Sequence, residues 1–456
     1  MKHTIYVLMG EGDSSSEENL TSSQVTYIDV IQKGKLDLGV DRLLRKMKKI
    51  GAYPTELGVD LWLLALAVYA ADTRISRQTE AEDSWTRGIN IVLPVCDLRR
   101  WNSVRTLINK ILGFLTCDKW TIEFRERPSA YKTLLEQKPD DLFQEESSVV
   151  SLFSGGLDSL IGAIDLLAER NQPRYVFVSH YADKYTSVPQ GRLLNGLRAS
   201  FTKKKIDHIG AWVNFPTTLV SEVESEKSTR SRSFLFFSLG VFVGLGLGRS
   251  FLLRVPENGL IALNVPLDNL RLGSNSTRTA HPYYLTLWNQ LLQELGIDGK
   301  IVNPFWNKTK GEMIKECTNQ QLLRQLAPES VSCSSPNKNH VKKVDTDHCG
   351  YCLPCIIRRA AFLHAWGRGG DLTKYLIEDL NARVLDSCMA EGVQIRSFQY
   401  AIRLLQKRES LAKFWILKAG PLHELPDFDI QELENVYLRG MSEVANLLKG
   451  VRTKAY

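Results

Sequence analysis

Apolar positions run almost unbroken through "GVDLWLLALAVYAADTRI" (58–75), a stretch too long for a strand and apolar on every helical face, which predicts a fully buried helix. Around it, "TIYVLM" (4–9), "VTYIDV" (25–30), "GINIVLPV" (88–95) and "KWTIEF" (119–124) carry the β-branched and aromatic enrichment of strands. "VRTLINKILGFL" (104–115) has helical spacing. This mixture reads as an α+β module over 1–146, a candidate docking unit for a partner protein. The polar, acidic "EQKPDDLFQEESS" (136–148) marks its end.

From 147 the pattern changes. Strand candidates "SVVSLF" (148–153), "RYVFVSHY" (174–181), "HIGAWVNF" (208–215) and "GLIALNVPL" (259–267) alternate with helices "LDSLIGAIDLLAER" (157–170), "GRLLNGLRASF" (191–201) and "SFLFFSLGVFVGLGLG" (233–248). Such alternation predicts an α/β fold with a doubly wound parallel sheet over 147–365, and sheets of that kind take ligands at the carboxyl ends of their strands. The 233–248 run is shorter than the roughly 20 residues a membrane span needs and reads as a buried core helix. Beyond 366, "LTKYLIEDLNARVL" (372–385), "FQYAIRLLQKRESLAKFWIL" (398–417) and "ELENVYLRGMSEVANLL" (432–448) predict a helical C-terminal region to 456.

Charge changes this picture little. A net charge of +7 suits an anionic ligand or acidic partner, but it is spread along the chain, so direct binding of nucleic acid is not expected. No secretory signal opens the sequence and no membrane segment is evident, so the expected location is cytoplasmic.

The turn "SGGLDS" (154–159) lies where a predicted strand meets a predicted helix, and the unpaired amides of such a junction attract anions. Gly155 and Gly156 let main chain approach a phosphate, the hydroxyls of Ser154 and Ser159 can donate to its oxygens, and the amide of Leu157 adds another donor. Asp158 would repel a phosphate unless Mg2+ bridges the two or the carboxylate caps a neighbouring N–H, which points to a metal–nucleotide complex such as ATP with Mg2+. Any strand-to-helix turn favours glycine and serine. The turn lacks the lysine of the mononucleotide loop and the third glycine of the dinucleotide fingerprint.

Four of the eight cysteines fall together: Cys333, then Cys349, Cys352 and Cys355 in "CGYCLPC". Two-residue gaps let thiolates close on one ion, and four sulfurs complete a tetrahedron with no open position, so the expected metal is structural Zn2+. His340 and His348 read as loop histidines rather than ligands, and Cys96, Cys117, Cys317 and Cys388 as ordinary buried thiols.

The turn resembles the SGGxDS pyrophosphate (PP) loop of the ATP pyrophosphatases. Together with "CGYCLPCIIRRAAF", "RSRSFLFFSLG" and "NKTKGEMI", it resembles the 7-cyano-7-deazaguanine synthase (QueC) family over roughly 148–365. Ser233 stands where that family usually has asparagine. The added N-terminal module, the helical tail and "ENGLIALNVPLDNLRLGSNSTRTAHP" bring the chain closest to the QueC-like (QatC) branch of bacterial Qat anti-phage defence systems. The resemblance implies an ATP-consuming C–N ligase that adenylylates the carboxylate of a 7-deazaguanine substrate and passes it to an amine, either ammonia or an amine on a partner protein of the same operon (QatB-like). It places Asp158, Ser159 and Lys310 in catalysis and Ser154–Ser159 on ATP. Arg232 is a second cation for the leaving pyrophosphate; Arg278, beside Thr279 and His281, is a fork for the substrate carboxylate. Two other readings stay open: a PP-loop enzyme modifying an RNA base, and a non-catalytic, nucleotide-binding zinc scaffold.

Overall fold

The computed structural model describes residues 2–13, 24–32, 34–136, 145–169, 174–221, 223–268, 278–334, 346–423 and 425–455. Its first sheet contains β1 (Lys2–Leu8), β2 (Gln24–Asp29), β3 (Gly88–Val95) and β4 (Lys119–Glu126), ordered β2-β1-β3-β4 with every pairing parallel. The N-terminal module is therefore a parallel α/β unit, not the α+β mixture the strand and helix signals suggested. The strands were legible; their direction was not, because direction is set by crossovers such as α3 (Leu98–Thr116), which returns the chain from β3 to β4.

The second sheet is also all parallel, in the order β9-β8-β5-β6-β7, formed by β5 (Glu145–Leu152), β6 (Tyr175–Tyr181), β7 (Ile206–Trp212), β8 (Gly248–Arg254) and β9 (Gly299–Val302). Helices cover both faces. On one lie α4 (Leu157–Ala168) and α5 (Lys184–Ser200) with the later α8 (Lys310–Glu316), α9 (Gln320–Leu326) and α10 (Leu353–Trp366). On the other lie α6 (Arg232–Leu247) and α7 (Pro282–Glu294). The chain order reverses between β5 and β8, and the crevice at their carboxyl ends is where ligands of such sheets bind.

The two sheets share their helices. After the short α1 (Val40–Lys49), helix α2 (Glu56–Arg74) packs against β1 and β3 on one side and α6 on the other, and α3 packs on α7, so one apolar core runs from Ile5 through Trp62 and Phe242 to Ile301. That explains why both apolar runs lack a polar stripe: neither helix has a solvent face. Gly240 and Gly244 give α6 its close approach to β8, since a Cβ on them would lie 2.6 Å from Leu253 and 2.5 Å from Phe251. Among the described residues no helix is long and apolar enough to cross a membrane.

Buried charge stitches the same seam. Arg87 and Arg77 share the carboxylates of Asp72 and Asp118, with Arg87 at 2.6 and 2.7 Å, and the second oxygen of Asp72 accepts the amide of Ser231 at 2.7 Å. The N-terminal module thus holds the residue immediately before α6.

Two expectations move. The strand expected at 259–267 is β8, eleven residues earlier at its start, and Gly259–Ala262 forms a short helix instead. The stretch 372–385 is mostly irregular, whereas α11 (Ala390–Lys407) and α12 (Ile430–Leu447) are helical as read and pack with α10 into a third core. Two short strands, β10 (Leu385–Asp386) and β11 (Thr453–Lys454), pair beside α11.

Candidate functional site

The turn after β5 sits at the reversal point. Gly155 adopts φ +83°, a conformation that favours glycine, and a Cβ there would meet Gln190 Cγ at 2.9 Å. The Gln190 amide bridges the carbonyls of Ser154 (3.1 Å) and His180 (3.4 Å), and the amide of Val331 donates to the Gly155 carbonyl at 2.9 Å. Ser154 is exposed, its Oγ 3.2 Å from that of Ser159, which donates to the Gly156 carbonyl at 2.9 Å. Helix α4 starts at Leu157 with no side-chain cap. Its first-turn amides and positive end therefore face the turn, the electrostatics an anion needs.

Asp158 and Lys310 meet. The ammonium lies 2.9 Å from one carboxylate oxygen, with side chains only 8% and 4% exposed. The other oxygen accepts from Asn258, at 2.7 Å from its side chain and 3.2 Å from its amide. Beside them Glu257 is pushed up to about 8, chiefly by burial and then by the Asp158 charge, with Lys310 opposing. Two carboxyl groups in one dry site, one of them reluctant to ionise without further positive charge, are hard oxygen donors that fit Mg2+.

Lys310 opens α8 behind a capping box of Thr309 and Glu312. The start of that helix is clamped from the C-terminal region: buried Glu443 on α12 accepts from the Thr309 hydroxyl and from the Gly311 amide (3.3 Å), and Arg439 reaches Glu312 at 2.6 Å.

The two candidate substrate arginines part company. Arg232 opens α6, half-buried, and its guanidinium has no hydrogen-bond or ion-pair partner among the described residues. Its charge bears on the ring of His180, which burial first and Arg232 second hold down at about 3, with the Val213 backbone opposing. Tyr69 packs edge-on against the same ring at 5.5 Å. Ser233 donates to Thr279 at 2.7 Å, so Thr279 stands beside the start of α6. Arg278 instead donates through Nη1 to the Phe114 carbonyl at the end of α3 and lies 4.7 Å over the Phe114 ring, which ties it to the seam with the first sheet. His281 caps α7 through Nδ1, accepting from Tyr283 at 3.2 Å.

The sulfurs of Cys333, Cys349, Cys352 and Cys355 all lie within 4.8 Å of one another, a four-thiolate set that can hold a structural metal such as zinc. His348 is not among them: its Nε2 accepts the Ser332 amide at 3.2 Å. His340 falls outside the described residues. Cys96 and Cys388 are exposed rather than buried thiols. The cluster is tied to the turn. Arg358 on α10 donates to Ser330 (2.9 Å) and Ser332 (3.3 Å), fixing the strip that carries Val331 to Gly155 and ends at Cys333.

Glu257, Asn258, Gln190 and His180 escaped the sequence reading. Glu257 and Asn258 lie within four residues of the end of β8, so placing that strand eleven residues too late hid their position at a carboxyl strand end. No protein-family model matches the chain, and no curated protein matches it.

Proposed function

We propose that the protein is an ATP-dependent ligase of the QueC-like type, which adenylylates the carboxylate of a 7-deazaguanine and transfers the acyl group to an amine, ammonia or an amine of a partner protein in an anti-phage defence system. The observation that carries this reading is the Asp158–Lys310 pair at the uncapped start of α4, in the crevice where the sheet reverses. A carboxylate oxygen of the substrate attacks the α-phosphorus of ATP and pyrophosphate departs; the amine then attacks the acyl carbon and AMP departs.

Each part of the site has a task in that sequence. The first-turn amides of α4 and the hydroxyls of Ser154 and Ser159 receive the departing pyrophosphate. Lys310 supplies positive charge near the phosphates, held in place by Asp158 and by the Glu443 clamp on α8. Asp158 and Glu257 would hold Mg2+, which neutralises phosphate charge when bound. Arg232, whose guanidinium has no partner among the described residues, faces the remaining anionic group, the substrate carboxylate or a phosphate. Arg278 is left out, because its guanidinium is engaged by Phe114.

The test is pyrophosphate release from ATP with and without 7-carboxy-7-deazaguanine, with products weighed by mass spectrometry in the presence of ammonia or proteins encoded beside this one. Release stimulated by the deazaguanine supports the reading. Release that ignores it, or none at all, overturns the substrate assignment.

A further inference from the structure

The C-terminal region carries a helix face that none of the described residues covers. From the N-cap residue Met389 along α11, the positions Met389, Val393, Arg396, Tyr400, Arg403 and Lys407 recur at alternating steps of four and three, the spacing by which one helix seats on another. Met389, Val393 and Tyr400 are 59%, 41% and 53% exposed and bring together on one element three of the eight large apolar side chains exposed among the described residues. The middle of this stripe borders an open groove of about 580 Å³ between α11 and β11, lined by Arg396, Tyr400, Arg403, Val451, Arg452 and Thr453 among others, with no carboxylate in its lining. Arg396, Arg403 and Arg452 have no hydrogen-bond or ion-pair partner through their guanidinium groups among the described residues. Between Glu391 and Glu409 the chain carries four cations, three of them within α11, and no acid.

We propose that this face docks an acidic amphipathic helix of another protein, its apolar residues on Met389, Val393 and Tyr400 and its carboxylates on Arg396, Arg403 and Arg452. The alternating spacing selects a helix, and three unpaired guanidinium groups in a groove without acids select carboxylates. The apolar half of the stripe, at Met389 and Val393, offers a phosphate backbone nothing, which disfavours nucleic acid. A second copy would set like charges against each other across a two-fold axis, which disfavours self-association. The inference is independent of the ligase reading, since none of these residues touches the turn or its metal-binding carboxylates.

The full-length protein is titrated, by fluorescence anisotropy, against a synthetic helix of about 24 residues carrying leucine and glutamate at alternating four-and-three spacing. The expected result is binding that weakens at least about tenfold in R396E/R403E. The same variant gains affinity for a peptide with lysine in place of glutamate. Circular dichroism and ATP-dependent pyrophosphate release of R396E/R403E should equal those of the native protein. If that variant fails to fold, Met389→Ser/Tyr400→Ser must weaken the glutamate peptide instead. Absence of peptide binding, or equal binding by native protein and variants, overturns the proposal. So does tighter binding of an oligouridylate that R396E/R403E abolishes, which would make the groove a nucleic-acid site. A dimer in light scattering that the same variant dissociates would assign the face to a second copy and overturn it as well.

Discussion

The ammonium of Lys310 lies 2.9 Å from the carboxylate of Asp158, which joins the first residue of α8 to the first turn of α4 at the mouth of the glycine turn. Each charge is nearly sealed from water, so each depends on the other. Asp158→Asn keeps the shape and the Asn258 contact while removing the charge. Pyrophosphate release is expected to fall at least about a hundredfold with an unchanged circular dichroism spectrum; a native rate would sink the assigned role.

The two arginines should separate cleanly. Arg232→Ala is expected to raise KM for ATP or for the acyl substrate with little change in melting temperature. Arg278→Ala, which removes a carbonyl bond and a cation–π contact to Phe114, should cost about 1–2 kcal/mol of stability and leave KM alone. Steady-state kinetics beside thermal melts decide the matter, and the opposite pattern would return Arg278 to the substrate.

Cys352→Ser should lower bound zinc and thermal stability together, by about 5 °C or more, because a broken thiolate set releases the strip leading back to Gly155. Metal analysis by plasma mass spectrometry and a melting curve give the two readings. Full zinc occupancy in the variant would exclude a four-cysteine site.

Arg87→Ala leaves the buried carboxylates of Asp72 and Asp118 to share Arg77 alone in the seam between the sheets and is expected to cost about 3 kcal/mol in denaturant unfolding. A loss under about 1 kcal/mol, the scale of an exposed pair, would mean the network is wetter than its geometry implies.

Acid sensitivity has a definite sign at His281. Burial, then Arg278, lowers its pKa to about 3 from an ordinary 6.5, so between those values the unfolded chain binds the extra proton and the folded one does not. Stability contributed by the neutral ring is complete above about 6.5 and declines as pH drops toward 3, by up to about 1.4 kcal/mol per pH unit. His281→Asn retains an N-cap acceptor and should show a shallower fall in melting temperature from pH 7 to 4. Parallel curves would show that the ring is hydrated.

Much of this was readable before any coordinates. Three strands of the second sheet, their alternation with helices and the four cysteines followed from periodicity and spacing, because strand alternation and two-residue thiol gaps are local signals; β8 was placed eleven residues too late and the short β9 was not read. The buried helix at 233–247 was legible for the same reason. Strand direction in the first module was not, nor was the shared helical layer, since both depend on which elements meet in space. The site divided along that line. Asp158 was identifiable from its place in the glycine turn and Lys310 from the family resemblance of "NKTKGEMI", and the structure pairs them. Glu257 and His180 become visible only when β8 and β6 end beside the turn, and Arg278 looked like a carboxylate fork until Phe114 occupied it.

The helical layer between the two sheets has a consequence for ancestry and for the bench. Because α2 and α6 each complete the other's surroundings, neither half is a portable cassette: a gene fragment encoding only 1–144, or only 145–456, would expose a full helix length of leucine, valine and phenylalanine. Recombination that swapped one half for a distant cousin's would have to reinvent the opposing wall in the same step. The halves are accordingly bound to change residue by residue and in concert.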